Sequence, residues 1–269
     1  MPAAFVKAIA VCVSLAALWT GAARAQSDAE RSATADIQQA YFRTLSAPPS
    51  QYLVDDAQRA FDMTMAAYGA TAGRTADMAV NLGRALNATQ QYDAAASALE
   101  SAVTIYRDQG SDAVLRRAVA QYELGVALMG QGDMTRASAA LTDAYSVLQP
   151  TFSTLSADAN NVRAALEMAG GADAIAAARQ AASPVPDTRQ PEPAVKIPPV
   201  YPPDAGNVGG WVLLDYRLWP DGTVRDVFVL AGHPQGVFDI SAATALTYWR
   251  FKTPVDAAKH YQLNVAFKP

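Results

Sequence analysis

The chain predicts an α-helical repeat array (a solenoid) followed by a small α+β domain, an antiparallel sheet with one packed helix. Three observations carry this expectation. A stretch beginning at Asn81 recurs 42 residues later, at Glu123. Eight of the 16 prolines then crowd into Ser183–Pro203. Beyond them the apolar period shortens from that of a helix to strict alternation. The resulting division is an export signal over 1–25, a helical array over 26–182, a linker over 183–199 and an end domain over 200–269.

At the amino terminus, Met1 to Lys7 are followed by an apolar run from Ala8 to Trp19 and by the small-x-small triplet Ala23-Arg24-Ala25. That order of charged, apolar and cleavage regions predicts export with cutting after Ala25. A spanning helix needs ~20 apolar residues, and Thr20, Gly21 and Arg24 interrupt the run. Retention as an inner-membrane anchor is the alternative if the signal is left uncut. Cys12 is the only cysteine and lies inside the signal, so the exported chain would hold neither a disulfide nor a cysteine-ligated metal. The charge is divided unevenly. From Gln26 to Ala182 there are 17 acidic residues against 11 arginines, and from Ser183 onward eight of each sign. No basic block is present to meet phosphates, which disfavours nucleic-acid partners.

Within the array, "NLGRALNATQQYDAAASALESAVTIY" superposes on "ELGVALMGQGDMTRASAALTDAYSVL". The offset places Leu82 on Leu124, Gly83 on Gly125, Leu86 on Leu128, Ala95 on Ala137, Leu99 on Leu141 and Ala102 on Ala144. Spacings of three, four and seven give each helix one apolar face, and self-similarity at this period implies units that bury their faces on one another. The glycines and alanines let neighbouring helices approach closely, and Gly130 and Gly132 mark the turn inside the second unit. This arrangement is similar to tetratricopeptide repeats. Atypical end units are expected as caps: helices over Asp28–Leu45 and Gln51–Tyr68, and a pair over Ala159–Ala182 broken at Gly170-Gly171. The array reads either as a concave peptide-binding surface or as a spacer and scaffold.

The proline-rich segment fixes φ and removes donors, which predicts an extended, semi-rigid spacer between two domains. After it, Val212, Leu214, Tyr216 and Leu218 share one face of a strand, with Asp215 and Arg217 opposite. Pro220-Asp221-Gly222 forms the turn, and Thr223–Leu230 returns, with a bulge expected because Val224 and Val227 fall on opposite faces. Asp239 is placed as the cap of a helix reaching Tyr248 or Trp249. Pro254 ends the "TYWRFKTP" block, in which Trp249 and Phe251 anchor the crossing into the core. A last strand, Tyr261–Phe267, directs Tyr261, Leu263, Val265 and Phe267 to one face and Gln262, Asn264 and Ala266 to the other.

Those motifs, in that order, resemble the TonB carboxy-terminal domain over about Val200 to the end. They are Tyr201-Pro202, Gly210-Trp211-Val212, Asp221-Gly222-Thr223-Val224, Phe238-Asp239, Trp249-Arg250-Phe251 and Pro254. The resemblance implies capture of a short extended peptide, such as the TonB box of an outer-membrane transporter, by addition to a sheet edge. Its edge is the final strand: Tyr261, Gln262, Leu263, Asn264, Val265, Ala266 and Phe267. The spacing from Tyr201 to Gly210 is short for the family, so its first helix is expected to be reduced or missing.

The function expected is therefore that of a periplasmic, non-enzymatic TonB-like binding protein, with a transporter or another envelope peptide as partner and no cofactor. Alternatives are an envelope scaffold whose end domain forms a homodimer and, if the signal is retained, an anchored energy transducer. The two histidines, His233 and His260, have no metal-ligand spacing around them and no nucleophile motif. Asp55-Asp56 point apart on a helix and read as solvated surface.

Overall fold

The structure is a computed structural model that describes residues 27–152, 156–182 and 191–269. The expected signal and its cleavage point lie outside the described residues, as does the 183–190 part of the linker. No helix among the described residues is long and apolar enough to cross a membrane. Of the described residues, 27–37, which open helix α1 (27–45), belong to one unit, and Gln38–Pro269 form a second, compact unit.

Six further helices make up the helical part of that unit. They are α2 (Gln51–Tyr68), α3 (Gly73–Ala88), α4 (Tyr92–Asp108), α5 (Val114–Gln131), α6 (Met134–Phe152) and α7 (Ser156–Gln180). From α2 onward, each packs chiefly on its neighbours in sequence. Ser50 starts α2 by accepting a hydrogen bond from the Leu53 amide, the expected use of a serine at an N-cap. Gly132 ends α5 in the left-handed conformation, with φ of 82°. The pair expected over Ala159–Ala182 is the kinked α7, broken at Gly171.

The positions related by 42 residues occupy matching places. Ala95, Leu99 and Ala102 are fully buried, as are Ala137, Leu141 and Ala144. A Cβ added at Gly83 would lie 2.5 Å from Leu99 Cγ, and one at Gly125 would lie 2.5 Å from Leu141 Cγ. Both glycines exist to admit a leucine from the following helix.

The end domain has two small antiparallel sheets. One joins β1 (Pro193–Val195) to β4 (Arg250–Phe251); the other has the order β3-β2-β5, with β2 (Gly210–Leu218), β3 (Val224–His233) and β5 (Tyr261–Phe267). Helix α8 (Asp239–Thr247) covers one face of the larger sheet. There Val212, Leu214, Tyr216 and Leu218 are completely buried, with Phe238, Leu246 and Phe251 in the same core. Between Tyr201 and Gly210 there is one 3-10 turn, Pro203–Ala205, in place of a first helix.

Three expectations need revision. First, the segment 183–199 is not a spacer throughout. Residues 193–195 pair with β4, Lys252 N–H donates to Glu192 O at 2.9 Å, and Trp249 Nε1 donates to Ile197 O at 2.8 Å. Proline stiffness suits this segment to lie as an edge strap, since an edge strand needs few donors. Second, α8 is not alone on the sheet: the face of β2 opposite it is covered as well. Asp215 is 2% exposed, because the array lies against that face: Tyr41 of α1 stacks on Phe228, with ring centroids 5.5 Å apart. Third, Asp239 is the first residue of α8 rather than its cap. Phe238 holds the N-cap position, and no side-chain cap bond is made there.

The leucine-into-glycine contacts give a direct test. Gly125→Ala gains helix propensity of ~1 kcal/mol but forces a methyl onto Leu141, where overpacking costs about 1–3 kcal/mol. Urea denaturation is expected to show net destabilisation, and Gly125→Ala/Leu141→Ala should lose less than the sum of the two single losses.

Candidate functional site: one closed and one open sheet edge

The final strand, which the resemblance of the motifs singled out, is an edge. It pairs with β2 alone, in a continuous register from Gly210↔Phe267 to Tyr216↔Tyr261, and no strand among the described residues lies on its other side. Tyr261, Leu263 and Phe267 are buried, Val265 and Gln262 are partly so, and Asn264 and Ala266 are exposed. Phe267 stacks on Phe238 at 4.4 Å, and Tyr261 lies 5.8 Å from Tyr216. Half of the strand's side chains thus anchor it while its outer backbone faces away from the sheet. Lys259 and Lys268 flank it, the kind of charge that guards an edge against uncontrolled pairing.

The motif residues hold this strand in place rather than forming a separate site. Tyr201 packs edge-on against Phe238 at 5.6 Å and its hydroxyl donates to Val208 O. Pro202 precedes the 3-10 turn. Gly210 has no room for a side chain, since a Cβ there would lie 2.3 Å from His233 O and from Phe238. Asp221 Oδ1 accepts from both the amide and the hydroxyl of Thr223. Gly222, at φ of 80°, lets Phe251 N–H reach its carbonyl at 2.9 Å. Phe251 stacks on Tyr216 at 5.5 Å and is 6.1 Å from Trp249. Arg250 is exposed and turns back to the Trp249 carbonyl. Pro254 follows β4.

The opposite edge, β3, is closed by side chains, and nothing in the sequence pattern announced it. Gln38 of α1 treats Val227 as a neighbouring strand would: its Oε1 accepts from Val227 N–H and its Nε2 donates to Val227 O, both at 2.8 Å. Tyr41 Oη accepts from Val229 N–H at 3.0 Å. From α3, Arg84 Nη1 and Nη2 donate to Val229 O and Leu230 O, each at 2.8 Å, while Nε donates to Glu123 Oε1 of α5. Successive carbonyls of a regular strand point in opposite directions. Two can meet one guanidinium here because Leu230 is an inserted residue between the pairs Leu213↔Ala231 and Leu214↔Val229. A second bulge sets Asp226 and Val227 opposite Tyr216, which bears out the expected irregularity after the turn. At this bulge Asp226, at φ of 54°, is drawn to Arg74 at 2.9 Å.

Buried charge lines the same junction. His260 Nδ1 and Asp215 Oδ1 are 2.6 Å apart, a pairing that the sequence separation of the two residues concealed. Asp77 of α3 accepts from the Tyr106 hydroxyl and faces Arg116 of α5. Burial pushes the Asp77 carboxyl up, with Arg116 opposing the shift. Burial likewise raises the Tyr41 phenol, which stays neutral against β3. The Asp239 carboxyl is pushed up from 3.8 to about 6, chiefly by burial, with Arg84 pulling it down. Among the described residues no group of three His, Cys, Asp or Glu is placed to hold a metal ion.

Two outcomes follow for this junction. Gln38→Ala removes both bonds to Val227 and is expected to cost about 1–3 kcal/mol; hydrogen exchange at the Val227 amide should accelerate at least ~10-fold, since 1.4 kcal/mol is a tenfold change. The second concerns Asp239. A carboxyl whose folded pKa is raised stabilises the fold fully below pH ~4 and loses that contribution as pH climbs through 6. Relative to the wild type, Asp239→Asn should therefore gain on the order of 2 kcal/mol between pH 4 and pH 7.5 in urea titrations. No protein-family model matches this chain, and comparison with curated proteins finds no match to it.

Proposed function

We propose that this chain is a non-enzymatic binding protein of the bacterial envelope. Its end domain takes an extended partner peptide onto the outer edge of β5, in the manner of a TonB carboxy-terminal domain. The observation that carries this reading is the asymmetry of the sheet. The order β3-β2-β5 leaves two edges, and Gln38, Tyr41 and Arg84 occupy the backbone groups of one of them. A strand added from outside has β5 to pair with, where unpaired N–H and C=O groups supply affinity and the alternating side chains supply selection. The order of the motifs from Tyr201 to Phe251 supports the family likeness, and the export signal predicted over 1–25 supports a periplasmic setting. A TonB-box segment of an outer-membrane transporter is the partner that this likeness favours.

The helical part is read as two tetratricopeptide-like hairpins, α3–α4 and α5–α6, supported by the equivalent contacts of Gly83 with Leu99 and Gly125 with Leu141. Its first helices supply Arg84 and Glu123 to the junction. The array is thus a scaffold that takes the end domain as its own ligand and directs β5 outward.

Affinity capture from envelope extracts with the whole exported chain tests this reading. Outer-membrane transporters should be recovered, and Asn264→Pro should lower their capture at least tenfold with the melting transition retained. Self-association alone would favour the homodimer, and capture indifferent to Asn264→Pro would move the site off β5. Mass spectrometry of the chain purified from the periplasm should find Gln26 at its amino terminus; Met1 there would restore the anchored transducer.

A further inference from the structure

Beside the Arg84 clamp, a cavity of about 390 Å³ lies between α3, α5, α7 and the loop that follows β3. This is within the range of small-molecule sites, which are mostly apolar with a few placed polar groups. Leu45, Leu53, Val119, Leu148 and Val162 supply apolar wall, and Asn81, Arg84, Glu123 and Asp239 supply polar groups. Two of the latter are unsatisfied. Asn81 Nδ2 and Asp239 Oδ1 have no hydrogen-bond partner, although their side chains belong to residues only 6% and 7% exposed. Buried polar atoms are ordinarily partnered, so each exception calls for an explanation.

The chemistry of the lining narrows what can satisfy them. Three of the five N–H groups of the Arg84 guanidinium already donate, to Glu123 Oε1, Val229 O and Leu230 O. An anion would therefore meet a partly engaged cation together with two carboxylates, Glu123 and Asp239. A bare metal ion would need several oxygen or nitrogen ligands, and no such group of side chains is present among the described residues. A carboxylate oxygen in want of a donor, an amide in want of an acceptor and an aliphatic wall between them fit a small organic cation.

We propose that this cavity binds small primary amines, with the ammonium group on Asp239, an apolar body against Val119, Leu148 and Val162, and an oxygen acceptor, where the ligand has one, on Asn81 Nδ2. The site does not depend on strand addition at β5. Burial holds the Asp239 carboxyl at about 6. Bound ammonium favours its ionised form, so below that value amine binding must displace a proton from the carboxyl and weakens as pH falls; Arg84, Glu123 and His233 are further charged or titratable groups lining the cavity.

Isothermal titration of the whole chain with the primary amines from butylamine to octylamine, and with the matching alcohols, tests the site. At pH 7.5 at least one amine should bind tenfold or more tightly than its alcohol, and its affinity should fall at least fivefold at pH 5.0, where the amine itself stays protonated. Asp239→Asn should erase the preference for amine over alcohol. Ala88→Phe, at an exposed position of the cavity lining, should abolish binding by filling the space, and it carries the test if Asp239→Asn does not fold. Absence of amine binding, equal affinity for the alcohols, an amine preference that survives Asp239→Asn, or unchanged binding in Ala88→Phe would each overturn the proposal.

Discussion

The backbone of β3 has to be satisfied, and the helical array does it. A sheet of three strands exposes two rows of unpaired donors and acceptors, and each row is open to any passing strand. Here Gln38, Tyr41 and Arg84 stand in for a fourth strand, matching the N–H and C=O groups of Val227 and Val229 and the carbonyl of Leu230. The bulge at Leu230 is part of this arrangement, because it turns Val229 O and Leu230 O toward one guanidinium. A charged donor bound to two carbonyls and to a carboxylate makes stronger bonds than neutral partners would. Arg84 thereby ties α3, α5 and β3 together.

Much of the rest follows from that contact. With the array against the sheet, the second face of β2 and β3 is buried, so Asp215 needs a partner and finds His260. Phe228 becomes core by stacking on Tyr41. The buried ion pair of Asp77 with Arg116 lies in the same region and is electrostatically coupled to Asp215. Such pairs are costly to desolvate, and breaking one by removing a partner is more costly still. They favour one docking geometry over nearby alternatives that would leave a charge alone.

The sheet that results is directional. One edge is closed from within the chain, and the other, β5, is held by Tyr261, Leu263 and Phe267 and has no further strand beside it among the described residues. β5 is braced from behind by the core of the end domain. The aromatic contacts from Tyr201 through Phe238 to Phe267, and from Phe251 through Tyr216 to Tyr261, supply the rigidity. Because Gln38, Tyr41 and Arg84 bond to β3, the helical face that carries them is committed to the end domain.

The local sequence was enough to determine the elements: the helices and their 42-residue echo, the hairpin at Pro220-Asp221-Gly222 and the alternation of Tyr261–Phe267. These depend on periodicity and on residues within a few positions of one another, which a sequence displays. The same reading took the proline segment as a spacer and Asp239 as a cap, and it left Asp215 without a partner. The deciding neighbours are distant in the chain: β4 for residues 193–195, Arg84 for the environment of Asp239, and His260 and the array for Asp215. Gln38 and Arg84 look like ordinary polar residues of amphipathic helices, and no periodicity marks them. Which sheet edge is closed and which open was decided by tertiary structure alone, because backbone groups of a strand carry no sequence signature until a side chain from elsewhere reaches them.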